Sequence, residues 1–174
     1  MTLNYFAIIG IEPAAGVDLA DLERRYLELQ HRFHPDRHAH WQAPQRRAAM
    51  EAAARINEAY HLLRDPISRC AHLLSLRGTE VHAETAGDLP AEFLVRQLEW
   101  HEALEAASCA ADIDHLNALS GDLRAEQRLL ESRLHAMLDE HSDNEEALGI
   151  LRQLMFLRRL VAQAQDTADA MEFA

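Results

Sequence analysis

A proline between two amphipathic helical stretches constrains the fold of this chain more than any other feature. Pro35 stands in the tripeptide His34-Pro35-Asp36, where it removes a backbone donor and disfavours the helical conformation of the residue before it. The stretch that precedes the tripeptide is therefore expected to end near Phe33. Asp18 has the side-chain acceptor of an N-cap, so the same helix is expected to begin at residue 18 or 19.

Apolar residues on both sides of the tripeptide recur at helical spacing. Upstream they are Leu19, Leu22, Tyr26, Leu29 and Phe33, and downstream they are Met50, Ala53, Ile56, Tyr60 and Leu63. Asp65-Pro66 then ends the downstream helix. The sequence thus predicts two antiparallel helices joined by a loop that presents the tripeptide at its tip.

These motifs together resemble the J-domain family. The matching residues are Tyr5-Phe6 in a short first helix, Tyr26 and Leu29 in the second, His34-Pro35-Asp36-Arg37 in the loop, Ile56-Asn57-Glu58-Ala59-Tyr60 in the third, and Asp65-Pro66 with Arg69 beyond it. Further along, the chain continues with Leu73-Leu74-Ser75-Leu76, a short linker and an acidic helical segment that begins near Phe93-Leu94. This continuation narrows the resemblance to the HscB subfamily, whose members serve iron–sulfur cluster assembly.

An all-α fold in two small domains is expected for a chain of 174 residues with this pattern. Residues 77–88 contain two glycines and few large apolar side chains, which predicts a linker between a J-domain at 1–76 and a second domain at 89–174. The helices predicted in the second domain cover about 89–107, 112–141 and 143–168. Their short connections imply a three-helix bundle, whereas the J-domain is expected to be a helical hairpin with short flanking helices.

Helix ends in the second domain are predicted from capping residues. Asp88 and Pro90 are expected to be the N-cap and an early first-turn proline of its first helix. Asp143 with Glu146 predicts a capping box at the start of its last helix.

The net charge of −12 lies entirely in the second half of the chain. Residues 1–76 hold nine basic and nine acidic residues, whereas residues 77–174 hold eight and twenty. An acidic half repels phosphate groups, so neither nucleic acid nor an anionic membrane is expected as a partner. The two remaining interpretations are a basic protein partner and ordinary solvated helix faces.

The HscB resemblance implies that the first domain binds and stimulates an HscA-type ATPase chaperone. The residues expected to make this contact are His34, Pro35, Asp36, Arg24, Arg25, Arg32 and Arg37. An exposed carboxylate at Asp36 can grip a partner arginine bidentately, and the arginines suit an acidic patch on the chaperone. General J-domains carry a denser run of basic residues along the second helix, so the thinner run here favours a dedicated chaperone over a DnaK-type one. A plain helix stop and a solvated face are the competing interpretations.

The first helix of the second domain carries two apolar stripes, one more than a bundle core needs. Phe93, Trp100 and Leu104 form the first stripe. The HscB resemblance maps binding of the iron–sulfur scaffold protein IscU onto the second stripe, onto two acidic neighbours and onto one phenylalanine of the last helix: Leu94, Val95, Leu98, Glu99, Glu102 and Phe156. We expect Leu94, Leu98 and Phe156 to be substantially exposed. A wider core that buries all of them is the alternative.

No metal, cofactor or catalytic chemistry is expected. His34 and Asp36 have no third group to orient them, so they are interpreted as recognition residues rather than as an acid–base pair. Cys70 and Cys109 fit neither a zinc pair nor a redox pair and are expected to be buried or half-buried free thiols.

Histidines also cluster around the tripeptide, at His31, His34, His38 and His40. Pro35 breaks the helix that would align them, so exposed loop histidines are expected rather than a metal site.

A cytoplasmic co-chaperone is the function that these patterns and the resemblance predict together. No apolar run is long enough to span a membrane, and the N-terminus lacks the positive start of a secretory signal. The protein would stimulate its chaperone with one domain and deliver IscU with the other. The alternative is a general J-domain co-chaperone that binds unfolded client proteins.

Overall fold

The computed structural model of the protein describes residues 3–33, 42–81, 89–140 and 143–172. The helices within these ranges are α1 (Tyr5–Ile9), α2 (Leu19–Phe33), α3 (Ala43–Arg64), α4 (Pro66–Leu76), α5 (Ala91–Cys109), α6 (Ile113–Asp139) and α7 (Asn144–Glu172). None of the described residues forms a strand, and the predicted all-α class is confirmed. The chain divides into two compact units, Met1–Glu80 and Val81–Ala174.

The first unit is built around α2 and α3. Asp18 accepts hydrogen bonds from the backbone N–H groups of Ala20 (2.9 Å) and Asp21 (3.2 Å), which satisfies donors that a helix start leaves free. The helix begins at Leu19, so its predicted start is confirmed. Its described part runs to Phe33, the last residue of that described range, and the predicted end there stays a prediction. Leu22 is its fully buried contact with the core. Both α1 and α4 also pack against α3.

The buried face of α3 differs from the predicted one at its N-terminal end. Ile56, Tyr60 and Leu63 are buried as expected, but Met50 is 61% exposed and Ala49 is buried instead. At about 100° per residue, Ala49 lies about 20° from the direction of Ile56, whereas Met50 lies about 120° away. The prediction for Met50 is therefore wrong, because the helical repeat places the small side chain of Ala49 on the buried face and turns the larger side chain of Met50 away from it.

Two capped ends bound α4. Asp65 accepts a hydrogen bond from the backbone N–H of Ser68 at 2.9 Å, and Pro66 occupies the first turn, where its missing N–H costs nothing. At the other end Gly78 adopts a φ of +85°, and the N–H of Thr79 donates to the carbonyl of Leu74 at 3.0 Å. This bond closes the last turn of the helix and turns the chain away. The rest of the predicted linker, residues 82–88, lies outside the described residues.

The second unit is the predicted three-helix bundle. Its long helices α6 and α7 share a leucine core. The fully buried leucines are Leu116, Leu123, Leu134, Leu138, Leu151, Leu154, Leu157 and Leu160. The side chain of Asp112 caps α6 by accepting from the N–H of His115 at 2.9 Å. Along α5 the buried residues are Phe93, Leu104 and Ala107.

Two helix starts differ from the predicted ones. Pro90 occupies the N-cap position of α5 rather than its first turn, so the helix begins at Ala91, and Asp88 lies outside the described residues. Asp143 accepts a hydrogen bond from the N–H of Glu145 at 2.8 Å, as a cap should. Glu146 does not complete the expected capping box, because its carboxylate instead accepts from Arg133 of α6.

Candidate functional site

Stacked and hydrogen-bonded side chains hold the second half of α2 against α3. The rings of Tyr26 and Tyr60 stack with centroids 4.0 Å apart and an interplanar angle of 15°. The Tyr26 hydroxyl donates to Oδ1 of Asn57 at 2.9 Å, and the side-chain amide of Gln30 donates to the same oxygen. These contacts fix the frame on either side of residues 34–41. His34, Pro35, Asp36 and Arg37 themselves lie outside the described residues.

Two buried polar residues of α4 connect this helix by hydrogen bonds to α1, to the loop before α2 and to α3. Arg69 donates from Nε to the carbonyl of Ala15 at 2.7 Å and from a terminal nitrogen to the carbonyl of Leu63 at 2.6 Å. It therefore joins the loop before α2 to the last turn of α3. His72 accepts a hydrogen bond at Nε2 from the backbone N–H of Tyr5 at 3.1 Å, so this nitrogen must be unprotonated. Burial lowers the pKa of His72 from its ordinary value, which favours this neutral form.

The arginines of α2 differ in their freedom to meet a partner. Arg24 is exposed, and it donates both to Asp21 and to Glu28, the latter at 2.7 Å. Arg25 is half-buried, and it donates to Asp21 at 2.7 Å and to the carbonyl of Gly10 at 2.6 Å. These bonds from Arg25 and Arg24 hold the pKa of Asp21 below its ordinary value. Arg25 thus connects α2 to the end of α1. Its guanidinium is less accessible to a partner protein than that of Arg24.

Arg32 and Leu27 are two further exposed residues of α2. Arg32 is exposed, and its guanidinium carbon lies 5.6 Å from the ring centroid of Phe33. Leu27 is 57% exposed and lies outside every motif that the sequence pattern singles out. Its only signal in the sequence is its position off the stripe that contains Leu22 and Tyr26.

A stripe of exposed apolar residues runs along α5. Leu94, Val95 and Leu98 are 48%, 58% and 61% exposed. The neighbouring carboxylates of Glu99 and Glu102 are exposed as well. A core that buries all these residues is therefore excluded. The exposed stripe is apolar at its centre and acidic at its edge, and exposed apolar patches with polar edges are candidates for protein binding.

Phe156 of α7 departs from the prediction. It is half-buried rather than substantially exposed, because its ring contacts the ring of Phe93 at 5.8 Å and that of His101 at 5.7 Å between centroids. The HscB resemblance implies its location beside α5, but periodicity alone does not, since periodicity gives a direction around a helix and not the neighbour in that direction. Phe156 therefore packs against α5 while part of its side chain remains exposed to solvent.

The orientation of α5 is also held on its α6 side. Arg96 donates to Glu126 of α6 at 2.7 Å, and its guanidinium lies 4.6 Å from the ring centroid of Trp100. The pKa of Arg96 is raised, first by this hydrogen bond. With Phe93 and Leu104 buried on one face, these contacts leave the exposed stripe on the other.

Among the described residues, the remaining candidate groups form no additional site. Cys70 and Cys109 are both free, but Cys109 is exposed, so the expectation that both are at least half-buried is wrong for Cys109. Across the described ranges, no three His, Cys, Asp or Glu side chains converge as metal ligands. His34, His38 and His40 lie outside those ranges. No helix in the described part of the chain is both long and apolar enough to cross a membrane.

Known proteins resemble both units. The DnaJ domain family matches residues 4–72, and the HSCB C-terminal oligomerisation domain family matches residues 89–165. The co-chaperone protein HscB homolog of Paraburkholderia phymatum is 42% identical over 160 residues, which cover 92% of this chain and 91% of that protein.

Solved structures are similar to this chain over most of its length. Chaperone HscB from Vibrio cholerae has a TM-score of 0.84 and 32% identity, over 97% of this chain and 99% of that chain. The human co-chaperone protein HscB has a TM-score of 0.86 and 26% identity, over 94% of this chain and 81% of that chain.

A J-domain followed by a helical bundle of this kind defines a J-domain co-chaperone, a class that implies a chaperone partner of the Hsp70 type. The chain belongs to the HscB family of co-chaperones. This membership confirms the resemblance predicted from the sequence, and it is consistent with a role in iron–sulfur cluster assembly.

Proposed function

We propose that this co-chaperone stimulates the ATPase of an HscA-type chaperone through its first unit and delivers the scaffold protein IscU through its second. The protein would perform no bond chemistry of its own. It would act in the cytoplasm, and it would use neither nucleic acid nor a membrane as a partner. The observation that carries the adaptor proposal is the row of exposed apolar side chains on α5, Leu94, Val95 and Leu98.

The chaperone contact is assigned to the loop residues His34, Pro35, Asp36 and Arg37 and to Arg24, Arg25 and Arg32 of α2. The braced α2–α3 frame supports this assignment, because it holds the helices on both sides of residues 34–41 against each other. The exposed guanidinium of Arg24 suits an acidic patch, whereas Arg25 contributes mainly by holding α2 to α1. Stimulation requires only that the unit bind the hydrolysis-competent chaperone state better than the resting state.

The scaffold contact is assigned to Leu94, Val95, Leu98, Glu99 and Glu102 on α5 and to Phe156 on α7. Leucines that are about half exposed lose more solvent-exposed apolar area when a partner covers them than buried ones can. The carboxylates beside them favour a partner with basic groups at the edge of the contact. A chain that carries both contacts raises the effective concentration of the scaffold at the chaperone.

Calorimetric titration with IscU tests the scaffold contact. The double variant Leu94→Ala/Leu98→Ala should weaken binding by about 1 to 3 kcal/mol per residue. It should leave the melting temperature nearly unchanged, because neither side chain is in the core, where such a truncation costs about 2 to 5 kcal/mol. Leu129→Ala, which alters another exposed leucine, is the matched control and should bind as the wild type does.

Two outcomes would contradict this assignment. Unchanged IscU affinity in the folded double variant would rule out the α5 patch as the scaffold contact. Competition by an unfolded polypeptide for the same patch would favour a general client-binding co-chaperone instead. Phe156 is left out of the test variant, because its contacts with Phe93 and His101 mean that truncation would also disturb the bundle.

A further inference from the structure

The outward face of α2 carries an exposed leucine that the proposed chaperone contact does not include. Leu27 is 57% exposed, whereas Leu22 is fully buried. Arg24, three residues before Leu27, and His31, four residues after it, lie on the same outward face of the helix and are exposed. This face is therefore apolar at its middle and polar at both ends. His31 also lies three residues before His34, so the face leads along the chain towards the tripeptide.

The charges of α2 balance one another. Three arginines within the helix are matched by three carboxylates, those of Asp21, Glu23 and Glu28. Arg24 already donates to Asp21 and Glu28, and these bonds raise its pKa. A carboxylate on a partner would compete with them for the guanidinium. Long-range attraction from a helix with no net charge is weak, so charge alone is a poor source of affinity on this face.

We propose that Leu27 is an apolar anchor of the chaperone contact and is covered by an apolar spot on the ATPase domain of the HscA-type chaperone. This inference rests on the proposed stimulation of that chaperone by the first unit. Covering Leu27 removes apolar area from water, which contributes affinity that salt does not screen. Leu27 would also contribute to specificity between chaperones. A chaperone with only charged groups facing Leu27 would have to desolvate those groups without gaining hydrogen bonds in return.

Stimulation of the ATPase of the HscA-type chaperone by variants of the full chain tests the anchor. Leu27→Gln keeps the length and helix propensity of the side chain but removes its apolar surface. It should raise the concentration needed for half-maximal stimulation by about five- to tenfold. Leu27→Met restores an apolar side chain and should stay within about twofold of the wild type. Leu129→Gln changes a leucine that is 66% exposed on α6 and is the matched control.

The salt dependence separates an apolar contact from a charged one. The loss caused by Leu27→Gln should be as large at high salt as at low salt, whereas the loss caused by Arg24→Gln should shrink as salt rises. Leu27→Ala is a second test variant with the same expected direction. An exposed position predicts little change in melting temperature for either substitution.

The outcomes separate failure of the proposal for Leu27 from failure of the proposed stimulation of the chaperone. Normal stimulation by Leu27→Gln together with none by Asp36→Asn would overturn the anchor and leave the proposed function standing. Normal stimulation by Asp36→Asn would remove the proposed function and the anchor with it. If Leu27→Gln instead changes the sedimentation of the chain in the absence of the chaperone, Leu27 joins two copies of the chain and the proposal is overturned.

Discussion

Two buried polar residues of α4 show how single side chains hold the first unit together. Arg69 satisfies two backbone carbonyls at 2.7 and 2.6 Å, and His72 satisfies the backbone N–H of Tyr5 at 3.1 Å. A buried polar group costs free energy unless it is hydrogen-bonded, so these bonds are needed once the side chains are inside. The sequence marks Arg69 through its resemblance to the J-domain motif, but nothing in the periodicity of α4 reveals the partner of His72.

The buried His72 predicts a pH dependence of the stability of the first unit. Its pKa is lowered in the folded protein from the ordinary value of 6.5, so the unfolded chain takes up a proton at a higher pH than the folded chain does. The free energy of unfolding should therefore be constant with respect to this group above about pH 6.5 and should fall as the pH drops through the folded pKa.

Chemical denaturation at several pH values measures this effect. His72→Gln can still accept a hydrogen bond but cannot titrate, so its stability should fall less than that of the wild type between about pH 7.5 and pH 5.5. Equal slopes for the wild type and His72→Gln would contradict the assignment of the effect to His72.

At the scale of the helices, the turn after α5 contains a backbone position that favours glycine but holds alanine. Ala111 has a φ of +53°, and the N–H of Asp112 donates to the carbonyl of Ala107 at 3.0 Å to close the turn. A left-handed conformation costs a residue with a Cβ about 1 to 2 kcal/mol. Glycine adopts it without strain but loses more conformational entropy on folding.

Ala111→Gly should therefore stabilise the second unit by about 0.5 to 1 kcal/mol. The neighbouring Ala110→Gly is the matched control, because Ala110 has an ordinary φ of −81° and gains nothing from glycine. Thermal and denaturant unfolding should show a higher free energy of unfolding for Ala111→Gly than for the wild type, and a lower one for Ala110→Gly. A loss of stability in Ala111→Gly would contradict this prediction, because it would show that the conformational entropy cost of glycine exceeds the strain that it relieves.

Helix ends and helix faces differ in how well the sequence predicts them. Asp18 caps α2 as predicted, and Asp65 and Asp112 cap α4 and α6 through the same kind of side-chain bond, which joins residues that are neighbours in the sequence. Faces depend on neighbours that are remote in the chain. Phe156 is half-buried for that reason, since its surroundings are set by tertiary packing, whereas the exposure of Met50 follows from the helical repeat of α3 itself.

At the scale of the whole molecule, the chain is two compact units, Met1–Glu80 and Val81–Ala174. The narrower boundaries, with a J-domain at 1–76, a linker at 77–88 and a scaffold-binding domain at 89–174, remain a prediction. The shift in charge and the two glycines predict a division between residues 77 and 88, and the first compact unit ends within that range, at Glu80. The sequence also predicts the exposure of the α5 stripe, because two apolar stripes on one helix cannot both enter a small core.

Limited proteolysis of the full chain tests these boundaries. A protease of low sequence specificity should cut first within residues 78–88, because exposed segments with small and polar residues are the preferred sites of cleavage. Two helical fragments should resist further digestion. First cuts inside residues 112–141 would contradict the predicted linker at residues 77–88.

The central claim is that one chain must carry both contacts, and a mixing experiment on chaperone ATPase activity with IscU present tests it most directly. Asp36→Asn lacks the proposed chaperone contact, and Leu94→Ala/Leu98→Ala lacks the proposed scaffold contact. Linking two sites in one molecule raises their effective concentration, and two separate molecules cannot supply this. An equimolar mixture of the two variants should therefore give only the stimulation that the double variant gives alone. Restoration of the full wild-type stimulation by the mixture would contradict the adaptor account.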